Sequence, residues 1–249
     1  MINNTIKYFI FILILFLIPS FVFANLLVDT DLDGVPDVDE INVYRTDPGN
    51  ADTDGDGYSD WRELNAGFSP HNSQKIKLKD NDQDGDGLID KDELRFKTDI
   101  LNKDTDGDGH SDGDEIKAGY DPLDKEKIFL PKRIEVNIAK QELSYFLGDV
   151  RMGTYPVSSG VRNSTPKGNF TITNKSPKAW SPYGLWMPYW MGLNSGRVGI
   201  HELPIWPNGY REGENHLGTS VSHGCIRLGI GAAKFIYDWT PVGTGVVVY

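Results

Sequence analysis

Cys225 is the only cysteine in this chain of 249 residues, and it stands in the run Ser222-His223-Gly224-Cys225-Ile226-Arg227-Leu228. A lone thiol has three ordinary fates: an intermolecular disulfide, a small buried hydrophobe, or a reactive nucleophile. The neighbours point to the third. His223 and Arg227 would favour the thiolate, which is the attacking form, if they lie close to it in space. Gly224 allows unusual backbone angles and close approach of a substrate, and consecutive amide N–H groups around Gly224 and Cys225 could converge on a developing oxyanion. Arg227 suits a substrate carboxylate or a structural ion pair. Ser158, Ser159 and Thr165 are of the types that line a cleft or make turns.

A second chemistry fills the preceding half. Asp29, Asp31, Asp33, Gly34, Asp37 and Glu40 fall at positions 1, 3, 5, 6, 9 and 12 of a twelve-residue loop. The pattern recurs as Asp52, Asp54, Asp56, Gly57, Asp60 and Glu63, as Asp82, Asp84, Asp86, Gly87, Asp90 and Glu93, and as Asp104, Asp106, Asp108, Gly109, Asp112 and Glu115. A hard dication of calcium's size takes roughly six to eight oxygens, which alternate carboxylates on a curled loop supply together with a bidentate glutamate at the end. Four complete loops predict structural calcium; magnesium prefers fewer carboxylates and retained water. An apolar residue follows each glutamate (Ile41, Leu64, Leu94 and Ile116), which a disordered acidic tail would not require.

Loop starts lie 23, 30 and 22 residues apart, room for one short helix after each loop. Those helices should end near Thr46-Asp47-Pro48, Ser69-Pro70, Lys97-Thr98 and Asp121-Pro122. Over residues 25–124 the pattern resembles the bacterial thrombospondin type 3 repeats, with dockerin-like loop–helix units as the next relative. The resemblance implies a calcium-stiffened rod, spacer or docking module.

Charge divides the chain. Residues 25–126 hold 29 Asp and Glu against 11 Lys and Arg, a net of −18, and residues 127–249 hold 7 against 13, a net of +6. The acidic part has few large apolar residues and would need bound cations to fold, whereas the second part carries five of the six Trp and can bury a core. Three units are expected: 1–24, 25–126 and 127–249. The first reads as a cleavable export signal, with Lys7, an apolar run over residues 8–18 and Val22-Phe23-Ala24 at the cut. That run is too short for a lasting span, so the mature chain is expected in the periplasm or at the cell surface with no stable membrane span.

Strands must position the thiol. Residues 133–138, 142–147 and 150–158 alternate apolar and polar side chains, with turns at Lys140-Gln141 and Gly148-Asp149, and residues 168–173 and 245–249 read as further strands. Ala232, Phe235, Ile236 and Trp239 share one helical face. The second part should be mainly β with few helices. Trp180, Tyr183, Trp186 and Trp190 cluster before His201, most of them as core and one or two as groove lining. No phosphate loop, nucleic-acid motif or zinc cluster competes.

Residues 130–249 resemble an L,D-transpeptidase catalytic domain. Val157-Ser158-Ser159-Gly160, Thr165-Pro166-Lys167-Gly168, Gly199-Ile200-His201 and Ser222-His223-Gly224-Cys225-Ile226-Arg227 occur in the family's order. The resemblance implies a β-sandwich and cofactor-free acyl transfer on peptidoglycan stem peptides. It makes Cys225 the nucleophile, His201 the base and the carbonyl of Glu202 the group that orients the imidazole. His223 and Gly224 then shape the pocket or oxyanion site, and Arg227, Ser222 and Ser159 face the substrate. Twenty residues separate His201 from Ser222, a few more than the family's commonest spacing, and His216 within that stretch is a rival base. His201 leads because the strand-like Val198-Gly199-Ile200 gives it a rigid mounting. The expected products are 3→3 cross-links or proteins attached to the wall. Two alternatives stand beside this: a cysteine carboxypeptidase of stem peptides, and a calcium-dependent envelope-binding protein whose thiol is incidental.

Overall fold

The computed structural model describes residues 27–194 and 196–249, so the expected export signal lies outside the described residues. Among the described residues no helix is long and apolar enough to cross a membrane.

Each acidic loop curls because its first aspartate accepts backbone N–H groups from further along. Asp52 takes Gly55 N at 2.9 Å and Gly57 N at 2.8 Å, and Asp82 and Asp104 repeat the arrangement. The first repeat departs from the others. Its helix α1 (Asp37–Asp39) runs into a π-turn over Glu40–Tyr44, and Leu32 sits at φ 65, where the later loops have Gly55, Gly85 and Gly107. Helices α2 (Asp60–Ala66), α3 (Asp90–Phe96) and α4 (Asp112–Ala118) follow the next three loops and end on left-handed Gly67, Lys97 and Gly119. Residues 120–129 form a small hairpin, with Asp121 N donating to Ile128 O at 2.9 Å and the rings of Tyr120 and Phe129 stacked at 4.4 Å.

The β part comprises β1 (Lys132–Asn137), β2 (Glu142–Leu147), β3 (Val150–Ser158), β4 (Gly168–Trp180), β5 (Trp186–Leu193), β6 (Gly199–Glu202), β7 (Ile226–Leu228) and β8 (Gly245–Val248). They close in the order β1-β2-β3-β7-β6-β5-β4-β8. The long β3 and β4 each belong to both sheets, so the expected two-layer β domain is joined at both seams. Alternate residues point inward as the two-residue period requires: Ile134, Val136, Leu143, Val157, Ile172, Val246 and Val248 meet in one core. Helix α5 (Ala232–Trp239) lays Ala233 and Ile236 on β5, β6 and β7.

A smaller cluster crosses the expected boundary between acidic and β parts. Leu88, Phe96 and Ile116 of the third and fourth repeats bury against Leu147 of β2, with Leu130, Val150 and Met152 at its edge. The Arg95 guanidinium also donates to the Arg151 carbonyl.

Candidate active site and acidic loops

β6 and β7 run parallel, with His201 opposite Arg227 and Glu202 opposite Leu228. Parallel neighbours need a long crossover, and residues 203–225 supply it. Cys225 ends that crossover immediately before β7. A cavity of about 510 Å³ is lined by His201, Ser222, His223, Cys225 and Arg227, with Trp180, Tyr183, Trp190 and Arg197 around them.

The turn before the thiol is built by glycine and hydroxyls. Gly224 has φ 140, and a Cβ there would meet Ser164 O at 3.2 Å and Val198 Cγ1 at 3.3 Å. Ser222 Oγ accepts from Gly224 N at 3.0 Å and donates to Cys225 O at 2.6 Å. Thr165 Oγ1 accepts from Gly160 N at 2.7 Å and donates to Gly224 O at 2.9 Å. The Gly224 amide is thereby spent on Ser222, which corrects its expected place in an oxyanion site.

His201 is 2% exposed, and its Nδ1–H donates to Glu202 O at 2.5 Å, leaving the Nε2 lone pair as the proton acceptor. Burial, with Arg227 adding to it, lowers the imidazole to about 4, so it is neutral at neutral pH. Burial also pushes the Cys225 thiol above its ordinary value, against a backbone bond from Gly199 and the Arg227 charge. The expectation of a depressed thiol is corrected: Arg227 does act in that direction, and desolvation outweighs it. The resting pair is a neutral thiol and a neutral imidazole.

The other expected residues divide. His223 is exposed, lines the cavity and stacks on Tyr183 with ring centres 4.2 Å apart. His216 bonds through Nδ1 to Glu212 at 3.1 Å and does not line the cavity, so the structure favours His201 over it. Ser159 is fully buried and away from the cavity. Its hydroxyl meets Gln141 Nε2 at 2.8 Å and Ser220 Oγ at 3.1 Å, a structural lock in place of the expected substrate contact. Arg227 is buried at the cavity and pairs through Nη1 with Glu212 at 2.6 Å, so the guanidinium expected to face a substrate carboxylate already holds one from the protein. Glu202 pairs in turn with Arg211. Arg211, Glu212 and Gln141 carried no signal in the sequence, because they meet Glu202, Arg227 and Ser159 through loop folding and not through any spacing. Arg197, on the turn between β5 and β6, was missed for the same reason.

The acidic loops fit a divalent cation. In each, the aspartates at positions 1, 3 and 5 bring ligand oxygens within 4.8 Å of one another. The closing glutamates, Glu40, Glu63, Glu93 and Glu115, are at most 4% exposed, and each has at least one buried carboxylate oxygen without a partner. Burial and the adjacent carboxylates raise Glu40, Glu63 and Glu115 to about 7 and Glu93 to about 9. A cation at each loop would relieve that crowding. The aspartates at position 9 are used otherwise than expected. Asp37, Asp60 and Asp112 accept both the N–H and the hydroxyl of Thr30, Thr53 and Thr105, and Asp90 accepts from Gln83 N, Asn81 and Ser69. Their oxygens staple the loop shut and do not stand open as ligands.

Residues 131–248 match the family model of the L,D-transpeptidase catalytic domain, YkuD. Residues 52–67, 82–99 and 104–125 match the bacterial TSP3 repeat, which takes in the second, third and fourth acidic loops. The YkuD proteins of Bacillus licheniformis and Bacillus subtilis, both named as L,D-transpeptidases, are 30% and 31% identical over 120 and 123 residues. Each match covers 48% of this chain and 66% of the relative, so the chain spans just under two thirds of their length. Among solved structures, an L,D-transpeptidase from Mycobacterium smegmatis is similar at TM-score 0.42 and 24% identity, over 49% of this chain and 59% of that one. One from Stackebrandtia nassauensis gives 0.39 and 27%, over 48% and 55%. Over residues 131–248 the chain is thus similar to the L,D-transpeptidase catalytic domains.

Proposed function

We propose that the protein is an exported L,D-transpeptidase acting on peptidoglycan stem peptides through a Cys225 acyl-enzyme, carried in the periplasm or at the cell surface behind calcium-binding repeats. The observation that carries this is the buried His201, fixed at Nδ1 by the Glu202 carbonyl, in one cavity with Cys225 at the mouth of the adjoining strand. The neutral pair suits a concerted start. Cys225 Sγ bonds to the carbonyl carbon of the third residue of a tetrapeptide donor while its proton passes to His201 Nε2. Collapse breaks the C–N bond, and the imidazolium returns that proton to the departing amine of D-alanine. An amine on a second stem, or a lysine of an envelope protein, then attacks the thioester and gives its proton to His201; the C–S bond breaks, and the imidazolium passes that proton to the departing Cys225 sulfur. With the Gly224 amide engaged, the oxyanion falls to the amides on either side of it.

Aspartates at positions 1, 3 and 5 and the terminal glutamate of each loop would hold calcium, which supplies charge neutralisation and stiffness and takes no part in catalysis. The test is incubation of the mature protein with purified disaccharide tetrapeptide, read by mass spectrometry beside Cys225→Ala. A cross-linked dimer with loss of D-alanine is the expected product. Tripeptide alone would assign a hydrolase, and no turnover with or without calcium would sink both enzymatic readings.

A further inference from the structure

The crossover from β6 to β7 carries two consecutive charged residues that the reaction scheme leaves unused. Arg211 reaches Glu202, the residue after His201, and Glu212 reaches Arg227, two residues after Cys225. Both recipients are nearly closed to solvent, with side chains 4% and 7% exposed. The backbone beneath is fixed as well: Glu212 N donates to Pro204 O at 3.0 Å, and Ile205 bridges both Arg211 and Trp186. This stretch of the crossover is therefore fixed in place behind the residues that flank His201 and Cys225.

We infer that Glu212 is a positioning residue for acyl transfer: from the crossover it holds the Arg227 guanidinium in place and neutralises it beside the Cys225–His201 pair. The inference rests on the transpeptidase reading above. The charged and titratable groups around the thiol are His201 from β6, Arg227 from β7, His223 from the preceding turn with Tyr183 stacked on it, and Arg197 from the β5–β6 turn, with the Glu202–Arg211 pair behind His201 and His216 on the far side of Glu212. Arg227 is the buried permanent cation of this set, and its charge favours thiolate and opposes imidazolium. Glu212 sets a carboxylate 2.6 Å from that guanidinium, which weakens its field at the pair while the proton moves from sulfur to nitrogen and on to the leaving amine. Without it, a buried cation stands uncompensated. The thiolate then becomes easier to form, while the imidazolium that must protonate the leaving group becomes harder to form.

This gives opposite signs for two readouts, which a purely structural salt bridge would not. In the full mature chain, Glu212→Gln should shift the pH midpoint of Cys225 alkylation by iodoacetamide downward, raising the rate at pH 7 by about threefold or more. The same variant should lower kcat for tetrapeptide turnover by on the order of tenfold with KM less affected. Glu212→Asp, which keeps the charge one methylene further back, should fall between wild type and Glu212→Gln on both measures. An unchanged or raised alkylation midpoint overturns the inference, as does an unchanged kcat. If Glu212→Gln does not fold, the aspartate variant alone decides, and coincidence with wild type on both measures is the overturning result. Absence of tetrapeptide turnover in the wild type would refute the transpeptidase reading instead, with the alkylation midpoint still reporting on Glu212.

Discussion

His201 and Arg227 face each other across the parallel β6–β7 ladder, so the base and a permanent cation share one wall of the cavity. Only the pairing of Arg227 with Glu212 makes that tolerable for a group that must become positively charged during the reaction. The strand register thus dictates the electrostatics of the site, and the crossover loop corrects them.

The burial of His201 and Cys225 sets the pH behaviour. Alkylation of the resting thiol should have its midpoint above the ordinary thiol value of 9.0, and His201→Ala should reduce turnover by about a hundredfold or more. Because His201 is held neutral in the fold to about 4 but takes up a proton near 6.5 when unfolded, its contribution to stability is present above 6.5 and drains away as pH falls to 4. Thermal melts across that window check the second statement. An alkylation midpoint at or below 7 would contradict the first.

Gly160 is the tightest point behind the nucleophile. A Cβ there would lie 2.2 Å from Ser164 Oγ, 2.8 Å from Thr165 N and 2.9 Å from Gly224 Cα. Two of those contacts are backbone, so Gly160→Ala should cost about 1–3 kcal/mol and displace the Gly224 turn, lowering kcat more than it raises KM. Adding Ser164→Gly removes only the hydroxyl contact and should not restore activity. Restoration by that second change would show that the backbone contacts are harmless.

The regular part of this architecture was readable because it obeys period and spacing. β2 and β3 occupy the residues that alternation assigned, and the acidic loops follow from their aspartates and glycines. β5 escaped because Pro188 and Gly192 break its pattern and both of its faces are largely buried, and β7 because three buried residues carry no period. Cys225 and His201 were visible as residue types in a motif. The partners that tune them were not, since Glu212 meets Arg227 only after twenty-odd residues of crossover have folded back. Position 9 of the loops misled for a related reason: an aspartate that ligates and one that staples a threonine read alike in sequence.

Arg197 is exposed at the cavity, and among the described residues it forms no ion pair. With Arg227 engaged by Glu212, Arg197 is the guanidinium left to meet a substrate carboxylate. Arg197→Met should raise KM several-fold, roughly five to ten, for a donor with free carboxylates and leave kcat near wild type. The effect should vanish on a donor whose carboxylates are amidated. Equal losses on the two donors would mean that Arg197 acts through packing and not through charge.

The third and fourth acidic loops reach the β part through Leu147. Glu93 closes the third loop from α3, the helix that also carries Phe96, and Asp86 of that loop accepts from Gly113 N of α4 at 2.6 Å, the helix that carries Ile116. Phe96 and Ile116 both pack on Leu147 at the end of β2. With Glu93 uncompensated, a buried carboxylate crowded by its neighbours loosens the helix that covers the hairpin. Chelation should therefore lower the melting temperature and raise hydrogen exchange at β2 and β3 as well as within the repeats, and calcium should reverse both better than magnesium. Leu147→Ala should cost roughly 2–5 kcal/mol, the range for a buried leucine, and should uncouple the two responses. The repeats would still answer to calcium, whereas exchange in the hairpin would no longer follow it. Hairpin exchange that ignores chelation in the wild type would leave the repeats as a tether resting against the β domain without supporting it.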